Sequence, residues 1–246
     1  MQASNTLNGK SKTAPFRNAI LWMGGAVAFL GALGLLGWIT GVRTLSSLSP
    51  DFMPMAPGTA IIFMSFGIIL IVQALKPWRK QGQAIVTGVT ALAAIYGLLK
   101  FIEYFTGLDL TFVNTLSPVR ERLGTVPLWR MSPITGLLLF LSGTALALTL
   151  QSIRVAVRNL AAILGGFVLI IGFVAMVGFL FDAPLLYGRD IIPLAPTTVF
   201  GFMFLGTGLV AAAGPGSVII RQFTGSSVRA KLLRVFLPLT VVTILF

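Results

Sequence analysis

Long apolar runs alternate with short polar stretches along this chain. Six segments lack Asp, Glu, Lys and Arg altogether: 18–42, 52–75, 81–99, 131–153, 159–181 and 191–220. A helix needs about 20 apolar residues to cross the hydrocarbon core of a bilayer. The backbone polar groups of a crossing segment must be satisfied internally, so runs of this length indicate helices rather than barrel strands. The pattern predicts an all-α, polytopic membrane protein with six transmembrane helices.

A short motif opens every second apolar run. It consists of Met or Leu, a Pro two residues later, a Thr after two more, and a Gly eight residues beyond the Thr. The three copies are Met55-Pro57-Thr59-Gly67, Met131-Pro133-Thr135-Gly143 and Leu194-Pro196-Thr198-Gly206. Pro suits the first turn of a helix, where its missing N–H would have had no partner. Internal repeats reveal architecture directly, and this one predicts three helical hairpins, each with a descending helix that starts at the proline.

The predicted hairpins occupy residues 18–76, 83–151 and 160–213. Their ascending helices cover about 18–41, 83–106 and 160–182, and their descending helices cover about 57–76, 133–151 and 196–213. Ser132 is placed to cap the second descending helix. Pro77 should end the first descending helix at or before Lys76.

Polar and basic segments flank the six helices. Residues 1–17 form a predicted cytoplasmic tail, and residues 214–234 form a predicted basic linker. The apolar run that begins at Val235 has 12 residues, which rise only about 18 Å as a helix. We therefore expect 235–246 to be the truncated start of a seventh transmembrane helix, in a chain cut from a longer protein.

The net charge of +12 is distributed in a way that favours a membrane rather than nucleic acid. If six helices cross the membrane in alternating directions, 12 Lys and Arg residues lie on one side of the membrane, where there is no acidic residue. All six Asp and Glu residues lie on the other side. Basic loops stay in the cytoplasm. We predict a multi-pass protein of the bacterial cytoplasmic (inner) membrane with a cytoplasmic N-terminus. Its main partner would be the lipid bilayer, and no nucleic acid is expected.

Neither Cys nor His occurs in the chain. Their absence excludes disulfides, zinc thiolates, the usual haem ligand and the commonest general base. The stretch Gly214-Pro215-Gly216-Ser217 lacks the Gly-Lys-Ser/Thr ending of a phosphate loop. We expect no catalytic activity, cofactor or metal site in this chain.

Lys100 is the one charge within an otherwise apolar helix, and Glu103 follows it by three residues on the same face. Intramembrane ionisable residues are costly and mark functional sites. One interpretation is a structural ion pair, or snorkelling of Lys100 to the interface; the other is a sensing, ligand or ion role. Arg130, together with Arg120 and Arg122, is a second candidate because it precedes a helix N-terminus that would attract an anion. Solvated loop charges are the alternative there.

Small residues recur at four-residue spacing, in the pairs Gly24/Ala28, Ala93/Gly97, Gly143/Ala147 and Gly208/Ala212. In lipid this spacing lets helix backbones approach closely. Packing within one bundle explains the pattern, and a homodimer is the alternative.

Two stretches carry a resemblance to a known family. They are Trp38-Ile39-Thr40-Gly41 with Met55-Ala56-Pro57-Gly58-Thr59-Ala60, and Glu103-Tyr104-Phe105-Thr106-Gly107-Leu108 with Arg130-Met131-Ser132-Pro133-Ile134-Thr135. The chain resembles the N-terminal multi-helix membrane regions of bacterial sensor histidine kinases and diguanylate cyclases. Segment 221–239 is similar to the linker before the final helix pair of those regions.

The resemblance implies a membrane-embedded sensory or anchoring module without catalytic activity. In that family the membrane region precedes a cytoplasmic output domain of the same polypeptide, which would lie beyond Phe246 and hold any phospho-accepting His. A small transporter or channel is the alternative, because hairpin repeats and broken helices also suit transport. A structural subunit of a membrane complex is a third interpretation.

Overall fold

The computed structural model describes residues 2–49, 52–76, 78–107, 122–123, 126–127, 131–151, 154–181, 194–224 and 227–245. Its helices are α1 (Gln2–Thr40), α2 (Arg43–Ser47), α3 (Pro57–Leu75), α4 (Lys80–Thr106), α5 (Pro133–Gln151), α6 (Val155–Leu180), α7 (Pro196–Ala213), α8 (Val218–Thr224) and α9 (Val228–Leu245). Two short strands, β1 (Arg122–Leu123) and β2 (Val126–Pro127), pair antiparallel.

Six helices in the described ranges are long and apolar enough to cross a membrane: Pro15–Thr40 of α1, and the whole of α3, α4, α5, α6 and α7. The predicted all-helical, multi-pass membrane class is therefore confirmed. Each motif proline begins its helix, and α3 ends at Leu75, as expected ahead of Pro77, which itself lies outside the described residues.

Three details differ from the sequence-based expectations. Helix α1 begins at Gln2 rather than near residue 18, because extending an existing helix into a polar segment costs far less than starting one. Helix α6 begins at Val155 rather than near residue 160. The Ser132 hydroxyl has no hydrogen-bond partner, so the predicted side-chain cap of α5 is wrong.

The predicted linker, residues 214–234, is largely helical. It contains α8 and the first seven residues of α9, so Arg229, Lys231 and Arg234 lie on the same helix as the apolar run that follows them. No helix boundary separates residues 234 and 235. The seventh crossing stays a prediction.

The six long helices pack most closely as sequence neighbours: α1 with α3, α4 with α5, and α6 with α7. The motif glycine lies at the crossing in each pair. A Cβ atom added there would approach backbone atoms of the ascending helix: to 2.5 Å from the Ala28 nitrogen for Gly67, 2.8 Å from the Thr90 oxygen for Gly143, and 2.6 Å from the Leu169 nitrogen for Gly206.

The ascending helices carry a matching glycine at equivalent positions. A Cβ atom added there would lie 2.5 Å from the Met64 nitrogen for Gly31, 2.6 Å from the Gly136 oxygen for Gly97, and 3.3 Å from the Met203 nitrogen for Gly172. Each pair is therefore held by backbone-to-backbone approach, which is how helices associate in lipid without a hydrophobic driving force.

The three descending helices, α3, α5 and α7, contact one another in the centre of the bundle. They bury the same motif-relative positions in four layers, all at most 3% exposed: Thr59/Thr135/Thr198, Phe63/Leu139/Phe202, Phe66/Ser142/Leu205 and Leu70/Leu146/Leu209. The rings of Phe63 and Phe202 pack edge to face at 4.9 Å. We call the end where these helices begin the proline end, and the opposite end, which carries Lys76, Lys80 and Arg158, the basic end.

The three ascending helices pack unequally against the descending helices of this core. Helix α1 packs against α7 as well as α3, and α6 packs against α5 as well as α7. By the same rule α4 should pack against α3, yet α3 makes few contacts with either α4 or α5. We call this boundary, between α3 on one side and α4 and α5 on the other, the loose joint.

Candidate functional site

An intramembrane ion pair lies on α4, near the proline end. The Lys100 Nζ and Glu103 Oε2 atoms are 2.8 Å apart, and the two side chains are 11% and 5% exposed. The ion pair expected from their spacing is therefore present. Because the two opposite charges neutralise each other, burying them together is far less costly than burying either alone.

The positions that match this pair in the other ascending helices hold small residues. The ascending helices can be aligned on the residue whose nitrogen faces each motif glycine, namely Ala28, Ala94 and Leu169. In that alignment Lys100 corresponds to Gly34 and Ala175, and Glu103 corresponds to Gly37 and Gly178. A Cβ atom at Gly34 would lie 3.1 Å from the Ala60 side chain on α3. Helix α4 therefore carries long charged side chains at positions where α1 and α6 have small residues.

Helix α4 contacts the first turns of both α3 and α5. The Tyr96 hydroxyl oxygen lies 2.8 Å from the position a Cβ atom would take at Gly58. One turn away, a Cβ atom at Gly136 would lie 2.7 Å from the Gly97 oxygen and 2.9 Å from the Phe101 nitrogen. The beginnings of two descending helices thus meet at residues 96–101 of α4, in the part that carries Lys100.

Most of the buried polar atoms without a hydrogen-bond partner belong to the first two repeats. Seven side chains in the described residues have one, and six of them belong to α3, α4, α5 or the residues just before α4 and α5: Thr59, Gln73, Trp78, Thr87, Ser132 and Ser142. The seventh, Ser217, precedes α8. Buried polar groups in native proteins are nearly always partnered, so among the described residues it is mainly the first two repeats that leave hydrogen bonds unmade.

Hydrogen bonds link the first and third repeats at the proline end. The Ser46 carbonyl oxygen, on α2, accepts from the Met55 nitrogen at 2.9 Å and from the Thr197 hydroxyl at 2.8 Å. The Trp38 indole Nε1 donates to the Met55 carbonyl at 2.7 Å. Short helix α2 therefore connects α1, α3 and α7, and nothing comparable occurs at the loose joint among the described residues.

At the basic end, two side chains of α6 hold the connection between α7 and α8. The Arg158 Nε donates to the Ala213 carbonyl at 2.7 Å, and the Asn159 Oδ1 accepts from the Val218 nitrogen at 2.8 Å. These bonds satisfy the last turn of α7 and the first turn of α8. Helix α8 is thereby fixed to the third repeat.

The other predicted site residues divide into buried and undescribed groups. Thr59, Thr135 and Thr198 are buried at the proline end. Arg130, Arg120 and the side chain of Arg122 lie outside the described residues, so the anion site proposed for them stays a prediction.

Sequence reasoning missed Tyr96, Gly58 and the unpartnered hydroxyls. The placement of Tyr96 four residues before Lys100 was an available signal, because both lie on one helix face. A comparison with protein-family models, curated proteins and solved structures finds no match for this chain.

Proposed function

We propose that this chain is the membrane-embedded sensory and anchoring module of a bacterial signalling protein, of the sensor histidine kinase or diguanylate cyclase kind. A stimulus at the loose joint would shift the first repeat against the other two. Helices α8 and α9 would carry the change to a cytoplasmic output domain.

The unequal packing of the three joints supports this proposal. A signalling element needs two arrangements that differ little in free energy, because a stimulus shifts an equilibrium only by its differential affinity for the two states. Two of the joints are closely packed, and the third has few contacts. Movement is therefore least costly at the loose joint.

The core of the bundle argues against a path along its axis. Below the Thr59 layer, three successive layers are filled by side chains with no exposed surface, among them Phe63, Phe66 and Leu70. Close-packed side chains of this kind leave no room for a solute.

A small transporter or channel is the second candidate, with its path in the loose joint instead of on the axis. Unpartnered polar atoms occur on the helices that flank that joint, at Thr59 and Gln73 on α3, Thr87 on α4 and Ser142 on α5. Flux measurements in proteoliposomes distinguish the two candidates, because the sensory module should be no leakier than empty liposomes.

The cysteine-free sequence allows a direct test of the signalling proposal. Spin labels at Leu75 on α3 and Val228 on α9, which are 67% and 73% exposed, report the distance between the first repeat and α9. Since the stimulus is unidentified, Lys100→Met acts as the perturbation at the proline end. We expect it to shift the distance distribution measured in nanodiscs.

Two controls make the result decisive. A label pair at Val155 and Val228 should not change, because α8 is fixed to α6 and α9 contacts both of those helices. The lipid-facing substitution Leu92→Ala, at a residue 68% exposed, should leave both pairs unchanged. An unchanged Leu75–Val228 distance in Lys100→Met would contradict the proposed coupling.

A further inference from the structure

The first turns of α3 and α5 form a donor-rich surface at the proline end. The first N–H groups of a helix have no partner within it. Pro57 and Pro133 carry no N–H, so the donors at these two helix ends come from the residues on either side of each proline. Ala56, before α3, supplies no side-chain cap, and the Ser132 hydroxyl, before α5, makes no hydrogen bond. Both helix ends also present the positive end of the helix dipole, equivalent to about half an elementary charge each.

Two hydroxyls at these helix ends are buried without a partner. Thr59 is 1% exposed and Ser132 is 4% exposed, and neither oxygen makes a hydrogen bond. In the third repeat Thr197, one residue before the motif residue Thr198, donates to the Ser46 carbonyl. The hydroxyls of Thr59 and Ser132 have no such acceptor among the described residues.

Nearby charges do not supply that acceptor. Glu103 is the one acidic residue in the described ranges, and its carboxylate is bound to Lys100. The pair contributes no net charge, and the two helix dipoles favour a negative group.

We propose that the first turns of α3 and α5, with the hydroxyls of Thr59 and Ser132, bind an anionic oxygen group, either a carboxylate or a phosphate. The group comes either from a small free anion or from a lipid headgroup, because a helix N-terminus recognises both by the same N–H donors. This binding does not depend on the proposed signalling function.

Thermal unfolding of the whole chain in a nonionic detergent, at constant ionic strength, tests the proposal. The probes are sodium acetate, inorganic phosphate and a short-chain phosphatidylglycerol, with the matching diacylglycerol as the uncharged control. We expect at least one anionic probe to raise the Tm of the wild type by roughly 3 °C. A shift with acetate or phosphate identifies a free anion, and a shift with phosphatidylglycerol alone identifies a lipid headgroup.

Substitutions separate this site from the basic end. Thr59→Val removes the hydroxyl at nearly constant volume and breaks no hydrogen bond, so the variant should fold and lose at least half of the anion-induced shift. Ser132→Ala should do the same. Ser65→Ala, whose hydroxyl bonds to the Ile61 carbonyl within α3, and the double variant Arg229→Gln with Lys231→Gln should keep the full shift.

Two results would overturn the proposal. One is the absence of any anion-induced shift in the wild type. The other is a shift that persists in Thr59→Val but disappears in the Arg229/Lys231 double variant, since that pattern places anion binding at the basic end. If Ser132→Ala fails to fold, Thr59→Val alone decides the matter.

Discussion

Replacing the motif glycine Gly67 by alanine tests whether backbone approach holds each helix pair together. A Cβ atom at residue 67 would lie 2.5 Å from both the Ala28 nitrogen and the Gly24 oxygen, whereas ordinary contact begins at 3.4 Å. Helices α1 and α3 would have to separate by about 1 Å. Both obstructing atoms belong to the backbone, so no side-chain rotation relieves the clash.

The expected cost is the difference between two effects. Overpacking costs about 1–3 kcal/mol, and the rigid backbone partners place Gly67→Ala at the upper end of that range. Alanine recovers about 1 kcal/mol through its better helix propensity. The net destabilisation should be about 2 kcal/mol, with Gly206→Ala next and Gly143→Ala smallest, following the closest approaches of 2.6 and 2.8 Å.

Two glycines with open surroundings provide matched controls. A Cβ atom at Gly25 on α1 or Gly88 on α4 meets nothing within 4 Å, so alanine there should be neutral or stabilising by up to about 1 kcal/mol. Equilibrium unfolding in mixed detergent micelles, followed by circular dichroism, gives the free energies. If Gly67→Ala is no less stable than Gly25→Ala, the backbone approach does not stabilise the pair.

Three other expectations concern the ion pair, the basic end and the orientation. Lys100→Met should destabilise the folded chain by about 3 kcal/mol because it leaves a buried carboxylate without its partner, and adding Glu103→Leu should recover most of that loss. A double-mutant cycle with a coupling energy near zero would contradict this expectation. Asn159→Ala should lower the free energy of unfolding by about 1 kcal/mol. It should also speed amide exchange at residues 218–224 in particular, as measured by mass spectrometry, and an equal increase across the whole chain would refute a local role. A cytoplasmic N-terminus predicts that an impermeant maleimide labels Leu48→Cys but not Val228→Cys in intact cells, and the reverse labelling would invert the topology.

The positions of the membrane helices could be predicted from sequence because each boundary has a local physical cause. Proline fixes the start of α3, α5 and α7, and the hydrophobic length fixes their extent. The ends of α3, α5 and α7 agree with prediction to within one residue. The predicted start of α1 was wrong, because a polar sequence shows where the membrane begins but not where the helix begins.

The unequal joints could not be predicted in the same way. Hydrophobic patterning shows that a helix is buried but not which helix it packs against, and repeats of similar sequence suggest equal joints. Ser132 shows the same limit at a single residue. Its position permits a cap, yet whether its hydroxyl turns toward the helix end depends on the surroundings that the neighbouring helices create.

The residues at which one repeat differs from the other two can nevertheless be identified once the three repeats are aligned on the structure. On α1 and α6, the face equivalent to that of Lys100 and Glu103 carries Gly34, Gly37, Ala175 and Gly178, and both helices pack against a second descending helix. On α4 that face carries the two charges, and the second contact is weak. A buried ion pair adds little stability compared with close apolar packing. Within the described residues, α4 thus differs from α1 and α6 both in carrying charges at these positions and in packing weakly against a second descending helix. A ligand bound at the first turns of α3 and α5 would add contacts to the repeats on either side of the loose joint.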